Sequence, residues 1–347
     1  MRHSHRHRRH HDRPVPGVLT LLVLWLLLAG ACGPGGSANP RQPGPTAGGD
    51  LRLWQDAAIF TPVQRLIDGA GPAQPLWVEM YEFGRSDLAL ALRQARDRGA
   101  DVRVIVDRTV PASGRTADRL LAAGLAVRAY PVDDHRHQID HVKLLLTAAA
   151  ALVGGMNWGR TSAANHDYAF ETEIGGQVAR LRAIFEQDWA LSGGQSDPLP
   201  AATGLVAQTS PGEEVRARLT AALRAATRSV QAEVFVLTDP DVIADLAAAH
   251  RRGARVRVLL DPNQDVNRPS LDLLRTAGVE ARWYPVPVGA KLHAKAALFD
   301  RRHLLLGSAN WSLSGLSVNH ELDLQSDDGQ ASAAFARRFE QDWSASV

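Results

Sequence analysis

The feature that most constrains this chain is that it is written twice. LWVEMYEF (76 to 83) is answered by VQAEVFVL (230 to 237), which sets Glu79 against Glu233. RDRGADVRVIVD, ending at Asp107, is answered by HRRGARVRVLLD, ending at Asp261, and LAAGLAVRAYPV (121 to 132) by RTAGVEARWYPV (275 to 286). Asn165-His166-Asp167 answers Asn319-His320-Glu321, and the pentapeptide FEQDW closes both halves, at 185 to 189 and at 339 to 343. A period near 153 residues is far too long for a solenoid and indicates a duplicated domain. Within each half, β-like runs such as Leu76 to Tyr81 and Val102 to Val106 alternate with helical spacing over Asp87 to Arg98, closed by Gly99. Arg115 to Ala123 reads as a short helix and Leu125 to Tyr130 as a strand. The expected fold class is therefore α/β, two similar lobes with mixed β-sheets flanked by helices.

The chemistry of the repeat concentrates in two segments. His293 to Trp311 reads HAKAALFDRRHLLLGSANW, and His141 to Trp158 reads HVKLLLTAAAALVGGMNW. Both place a Lys two residues after a His, which on a strand aims imidazole and ammonium to one side. Asp300-Arg301-Arg302 reads as a turn, with His303 to Leu306 as the returning strand. The chain has only three lysines (Lys143, Lys291 and Lys295) among 39 basic residues, and two of them occupy this position. Lysine is kept where a compact, three-donor point charge differs from the planar fork of arginine. A cation, an amide and a hydroxyl around an imidazole suit a tetrahedral oxyanion such as phosphate.

This pattern resembles the phospholipase D superfamily, whose mark is His-x-Lys, four residues, Asp, six residues, Gly-Ser/Gly-x-Asn, present twice. His293, Lys295, Asp300, Gly307, Ser308 and Asn310 fit it without a gap. The first copy fits at His141, Lys143, Gly154, Gly155 and Asn157, but Ala148 stands where the Asp belongs and the span to the glycines is one residue shorter. The resemblance implies two lobes related by a pseudo-twofold axis, with both motifs in one cleft. It implies a metal-independent phosphodiesterase with no cofactor: Lys143, Lys295, Asn157 and Asn310 hold the non-bridging oxygens, His141 attacks phosphorus and His293 protonates the leaving alkoxide. An acidic residue orients each imidazole, a role that falls to Glu321 and Asp167. Asp300 is carried over as a member of the catalytic motif. Ser308 either helps hold phosphate or marks a position that demands a small side chain.

The expected substrate is a phospholipid head group, hydrolysed or transferred. Two alternatives are a nuclease of the same superfamily and a non-catalytic phosphate- or lipid-binding surface protein, the latter suggested by Ala148. Charge bears on the nuclease. Residues 1 to 31 carry five arginines and one aspartate, a local +4, so the remainder of a chain of formal +2 carries −2. A strongly basic nucleic-acid footprint is absent from that remainder as a whole.

The first residues are basic and His-rich, followed by the apolar run Val18 to Ala29, which suits the apolar core of a signal peptide (1-31) better than a membrane span. Leu28 to Cys32 resembles a bacterial lipobox, so Cys32, the only cysteine, is a candidate for lipidation; the other reading is an ordinary signal peptide cut near Ala31. A Gly- and Pro-rich linker (32-50) would then tether a first lobe (51-195) and a second (196-347) to the extracytoplasmic face of a membrane, or the protein is extracellular. With both motifs in one chain, a monomer is expected.

Other residues carry blander readings. His135 and His137 with Asp133, Asp134 and Asp140 have zinc-ligand chemistry, but the second copy has Pro287 to Ala290 there, which favours a polar cleft-edge loop. Trp158 and Trp311 are read as packing beside the motif turn, and Glu79 and Glu233 as cleft-lining residues or paired buried acids. Asp107 and Asp261 are read as caps of the helices that follow. Pro111 to Thr116 and Asn263 to Pro269 are read as loops that set specificity.

Overall fold

A computed structural model describes residues 50–194, 198–199, 206–209 and 213–347. Cys32, the signal-peptide and linker readings and the expected lobe boundary at 195/196 lie outside the described residues.

Each half folds into a seven-stranded mixed sheet. The first half contributes β1 (Leu51–Gln55), β2 (Pro75–Met80), β3 (Asp101–Val106), β4 (Ala126–Ala129), β5 (Lys143–Thr147), β6 (Ala151–Gly154) and β7 (Tyr168–Thr172). Its helices are α1 (Phe60–Gly69), α2 (Ser86–Asp97), α3 (Pro111–Ala122) and α4 (Gly175–Leu191). The second half contributes β8 (Val206–Gln208), β9 (Ser229–Val234), β10 (Arg255–Leu260), β11 (Glu280–Trp283), β12 (Lys295–Phe299), β13 (His303–Gly307) and β14 (Leu322–Ser326). Its helices are α5 (Glu214–Ala225), α6 (Pro240–Arg251), α7 (Arg268–Thr276), α8 (Leu313–Ser317) and α9 (Gly329–Ala345).

The strand orders β1-β7-β6-β5-β2-β3-β4 and β8-β14-β13-β12-β9-β10-β11 are the same order. In both sheets only the three strands joined through helices run parallel (β2-β3-β4 and β9-β10-β11). The hairpins of the motif supply antiparallel neighbours, since a two- or three-residue turn cannot return a strand in parallel.

Alternation along the strands divides each sheet between two cores. Leu145 faces the core under α1 to α3, and Leu144 and Leu146 face the opposite way. That second face is shared: Leu144, Phe170, Leu298 and Leu324 from the two sheets join Phe185 of α4 and Phe335, Phe339 and Trp343 of α9 in one central core. Each such fully buried side chain stabilises by roughly 1.5–3 kcal/mol, which fixes the lobes together. The FEQDW repeat is therefore a packing element: its Phe and Trp face the shared core or its edge.

Two expected loops are instead helical. Pro111 opens α3, its fixed φ suiting the first helical position, and Asn263 to Pro269 runs into the start of α7. The turn after β12 is as expected, with positive φ at Asp300 (51°) and Arg301 (60°), the geometry of a tight hairpin. Asp300 accepts from the backbone N–H groups of Thr227 (3.1 Å), Arg228 (2.8 Å) and Ser229 (2.9 Å). It lies at the far end of β12 from His293, so its assignment to the catalytic set is corrected: it is a loop clamp. In the first lobe the Thr147 hydroxyl closes the shorter turn on Ala150, and Ala148 is an exposed turn residue. Asp300→Ala is expected to lower stability by about 1–2 kcal/mol while leaving kcat within a factor of two, measurable by denaturant unfolding beside turnover. A loss of kcat at unchanged stability would return Asp300 to the reaction.

Candidate active site

β5 begins at Lys143 and β12 at Lys295, so each motif His stands just ahead of its strand. There the backbone crosses between lobes. His141 N–H donates to His320 O (2.8 Å) and His293 N–H to His166 O (2.8 Å), within the reciprocal bridges Asp140 to His320 and His166 to Leu292. The carboxyls of Asp107 and Asp261 do not cap helices. They hold these crossing segments, accepting from Asp140 N–H (2.8 Å) and Leu292 N–H (2.7 Å).

The crossing exchanges partners. His141 Nδ1–H donates to Glu321 Oε2 of the second lobe (2.9 Å), and His293 Nδ1 lies 2.8 Å from Asp167 Oδ2 of the first. All four side chains are buried, with His141 and His293 retaining 5% and 6% exposure. Lys143 Nζ donates to His141 O (2.6 Å); Lys295 Nζ donates to His293 O and lies 3.1 Å from His293 Nδ1. Aromatic rings wall both pairs, a role the sequence reading missed. Tyr81 stands 4.7 Å from the His141 ring and Phe235 4.8 Å from that of His293. Their equivalent places in the repeat, two residues after Glu79 and Glu233, were the available signal.

Asn157 Nδ2 donates to Glu82 Oε2 (3.1 Å), and Oδ1 of both Asn157 and Asn310 is buried without a partner among the described residues. A half-turn of either amide would present Nδ2 at that place. Ser308 is corrected as a phosphate ligand: fully buried, it accepts from Leu322 N–H (2.9 Å) beside Glu321. Its counterpart Gly155 has no space for a side chain, because an added Cβ would sit 2.3 Å from Asp167 Oδ1. The motif's small residue is thus set by the carboxylate behind it.

The two His–carboxylate pairs differ electrostatically. Burial lowers His141 to about 4, with Glu321 opposing and Lys143 adding to the shift. Burial would raise Glu321, but His141 and Lys143 hold it below its usual range, so it is an anion facing a neutral imidazole. In the other pair, burial, Lys295, Lys143 and His141 drive His293 well down, while burial raises Asp167 to about 7. One proton is therefore held between His293 and Asp167 near neutrality. Burial also lowers Lys143 to about 7 and Lys295 to about 8.

Beneath the site lie two buried clusters that the sequence reading did not assemble. Glu79 and Asp188 meet His320, whose Nε2 is 2.9 Å from Asp188; Glu233 and Asp342 meet His166, whose Nε2 is 2.9 Å from Glu233. Each trio of ligand atoms lies within 4.8 Å, and each combines the repeat's strand Glu, the FEQDW Asp and the other lobe's NH(D/E) His. The second receives Arg338, which donates to Asp56 (2.8 Å) and Asp342 (2.7 Å). In the first, Ile184 stands where Arg338 would be, and burial raises Glu79 well above its usual value. Its two carboxylates and imidazole are a donor set that could hold a divalent cation.

Trp158 and Trp311 are buried at 2% exposure and pack beside the turn. His135 and His137 sit in an exposed turn whose Arg136 and Gln138 donate to Ser317 O (3.1 Å) and Val318 O (2.8 Å) of the second lobe.

Comparison with known proteins fits this arrangement. The family model described as "Cardiolipin synthase, PLD-like domain" matches residues 63–189 and again 219–343. The human mitochondrial cardiolipin hydrolase is 34% identical over 133 residues, 38% of this chain and 52% of that protein. The probable cardiolipin synthase YwiE of Bacillus subtilis (strain 168) is 22% identical over 310 residues, 76% of this chain and 60% of that protein. The chain thus spans about half the length of the human relative it matches. A crystal structure of phosphatidylserine synthase from Haemophilus influenzae Rd KW20 shares the fold, with a TM-score of 0.68 at 12% identity over 84% of this chain and 86% of that one. So does a polyphosphate kinase from Porphyromonas gingivalis, with a TM-score of 0.62 at 18% identity over 84% of this chain and 50% of that one. With a duplicated family match and two complete lobes that exchange carboxylates across their junction, the chain belongs to the phospholipase D superfamily, in the family described as cardiolipin synthase, PLD-like domain.

Proposed function

We propose that this chain is a phospholipase D-type phosphodiesterase that hydrolyses or transfers phospholipid head groups. The observation that carries the reading is the reciprocal pairing of each motif imidazole with a buried carboxylate of the opposite lobe, with a lysine beside each. His141, neutral and oriented by anionic Glu321, presents an Nε2 lone pair to phosphorus. The P–N bond forms as the P–O bond to the leaving alkoxide breaks, and the alkoxide takes the proton of the His293 Nε2. Water or an alcohol then gives its proton to His293 and displaces His141 from phosphorus. In the empty site, cations disfavour a proton on His293. A bound phosphodiester anion offsets them, and the proton held with Asp167 moves to the imidazole that needs it. Lys143, Lys295, Asn157 and Asn310 are the donors to the non-bridging oxygens.

The relatives' names support a lipid substrate, and the −2 charge outside residues 1 to 31 weighs against a nucleic-acid track. The test offers vesicles of cardiolipin, vesicles of phosphatidylcholine and single-stranded DNA, with chelator present and His141→Ala and His293→Ala as controls. Lipid turnover abolished by both substitutions supports the reading. Turnover of DNA alone favours the nuclease, and loss of activity on chelation overturns the metal-free route.

The pH profile follows from the lysines. kcat/KM is expected to fall as pH rises through about 7 to 8, where Lys143 and Lys295 of the free enzyme give up their protons and no longer offset phosphate charge. A profile flat to pH 9 would assign that charge elsewhere. The apolar run Val18 to Ala29 and Leu28 to Cys32 support placing a lipid-anchored monomer on the extracytoplasmic face. Incorporation of labelled fatty acid that survives Cys32→Ser would sink the anchor. Among the described residues no helix is long and apolar enough to cross a membrane.

A further inference from the structure

The two buried clusters beneath the site are copies of one another, and they differ in what balances their carboxylates. The repeat sets Glu79 against Glu233, Asp188 against Asp342 and His320 against His166. Tyr130 stacks on His320 at 4.7 Å as Tyr284 stacks on His166 at 5.2 Å, so the correspondence holds in space. In the second cluster Arg338 donates to Asp342 (2.7 Å) and the Tyr168 hydroxyl to Glu233 Oε2 (2.7 Å). The positions equivalent to these two donors are Ile184 and Leu322, both buried, whose side chains have no polar atom to offer.

Among the described residues no other donor takes their place. Both carboxylate oxygens of Glu79, and Oδ2 of Asp140 beside it, are buried without a hydrogen-bond partner. Glu79, Asp140 and His320 are wholly buried, and Asp188 nearly so. Carboxylates this deep are held by a paired charge, a proton or a metal. In the second cluster Asp56, Glu233 and Asp342 share an imidazole and a guanidinium; in the first, Glu79, Asp140 and Asp188 share an imidazole alone. The first copy is one cation short.

The imidazoles differ too. Asp56 N–H donates to Asp167 O (2.9 Å) and Thr209 N–H to Glu321 O (3.4 Å), which makes Thr209 the counterpart of Asp56. Asp56 grips His166 Nδ1 (2.6 Å) while Glu233 meets Nε2, so that ring is held as an imidazolium. Only Nε2 of His320 faces carboxylates, at 2.9 Å from Asp188 and 3.7 Å from Glu79. Those separations bracket the roughly 3–3.6 Å between neighbouring ligands of an ion bound at about 2.0–2.2 Å. His320 Nδ1 and the Thr209 hydroxyl are both buried without a partner among the described residues, the place of the outer acceptor that a metal-ligating imidazole needs.

We propose that Glu79, Asp188 and His320 bind a divalent cation of the Zn²⁺ or Mn²⁺ class, with Asp140 as supporting carboxylate, where the second lobe uses Arg338. One imidazole among carboxylates suits these ions, whereas Ca²⁺ takes six to eight oxygens. A divalent ion supplies in one body the two charges that Arg338 and His166 supply in the copy. The ion is structural. It joins β2 and α4 of the first lobe to the His320 segment of the second, which carries the carbonyl that receives His141 N–H and, next to it, Glu321. No step of the phosphodiesterase reading passes through it, so either can fail without the other.

The test refolds the full chain from urea in Zn²⁺ or in Mn²⁺, dialyses the folded protein against EDTA, and measures metal content by mass spectrometry. About one equivalent per chain is expected to survive the dialysis and to leave only on unfolding, because every ligand is buried. Glu79→Gln/Asp188→Asn should lose that equivalent, and so should Ile184→Arg, which brings in the guanidinium of the copy. Ions held by the His-rich first residues are common to all these chains and cancel in the difference. Should the variants fail to fold, the unmodified chain decides: refolding with the ion should give a higher melting temperature than refolding in EDTA. No retained equivalent with either ion overturns the proposal and leaves a proton on Glu79 as the balance. An equivalent undiminished in folded Glu79→Gln/Asp188→Asn overturns it as well. EDTA added to the folded chain tests the catalytic route, and EDTA present during refolding tests this site.

Discussion

Replacing Glu321 by Gln is expected to lower kcat by ~10²–10⁴, although Glu321 belongs to the half of the chain that does not contain the proposed nucleophile. Glu321 Oε2 accepts from His141 Nδ1–H at 2.9 Å and is fully buried. The amide of Gln preserves shape but carries no charge and can donate, so it permits the tautomer that places the proton on Nε2, where the lone pair is needed. Attack on phosphorus also builds positive charge on the imidazole, and only the carboxylate stabilises it. His141→Ala should cost at least ~10³, and Glu321→Gln/His141→Ala about the same as His141→Ala alone, since residues acting as one unit do not add. The measurement is single-turnover kinetics on a soluble phosphodiester, with thermal unfolding as the control for folding. Additive losses in the double variant would mean that Glu321 acts on something other than His141. Asp167→Asn should behave likewise through His293, with the added signature that the pH optimum moves, because the shared proton near pH 7 is lost.

Arg338→Ala is expected to destabilise the fold by ~3–5 kcal/mol, the usual effect of leaving a buried charge without its partner. Arg338 bonds Asp56 and Asp342, while His166 bonds Asp56 (2.6 Å) and Glu233, so two cations face three carboxylates. The sign of the pH dependence follows. Burial would raise Asp56, yet His166 and Arg338 lower it from 3.8 to about 2. A depressed carboxyl stabilises the folded state above its unfolded value near 4, and that stability is lost as pH falls toward about 2. His166 runs the other way: raised by Asp56 and Glu233 to about 10 against the pull of burial, it stabilises below pH 6.5 and loses its effect as pH rises toward 10. In Arg338→Ala the acid-side loss should begin at higher pH, visible as a shift in the urea midpoint between pH 3 and 5. A change under 1 kcal/mol would indicate that protonation of Asp342, which burial raises to about 6, compensates. The matching place in the first lobe, Ile184, brings no arginine to its cluster, and burial, with Asp188 and Asp140 beside it, raises Glu79 well above its usual value.

Much of the fold is legible in residue order because it rests on short-range periodicity. The apolar alternation of Val102 to Val106, the glycine at 99 with φ +93° closing α2, and the Asp300-Arg301 turn are local features that local residue types dictate. Pro111 misled because a proline reads equally as a loop residue and as the first residue of a helix; the helix is decided by Ala117 and Leu120, which bury against the sheet. The motif likewise named the imidazoles, ammoniums and amides that the strand ends carry. It misassigned Asp300, whose constant spacing reflects a hairpin clamp, and Ser308, whose smallness serves Glu321.

The sequence by itself determined the duplication, the α/β character and the identity of the paired imidazoles and ammoniums, since each is written within a few residues of itself. Tertiary structure alone decided which carboxylate serves which histidine, and that Glu79, Asp188 and His320 share one buried space. The reason is geometric. A twofold packing of like halves brings together residues 126 to 180 positions apart, and no local pattern records whether a partner comes from the same half or from the opposite one.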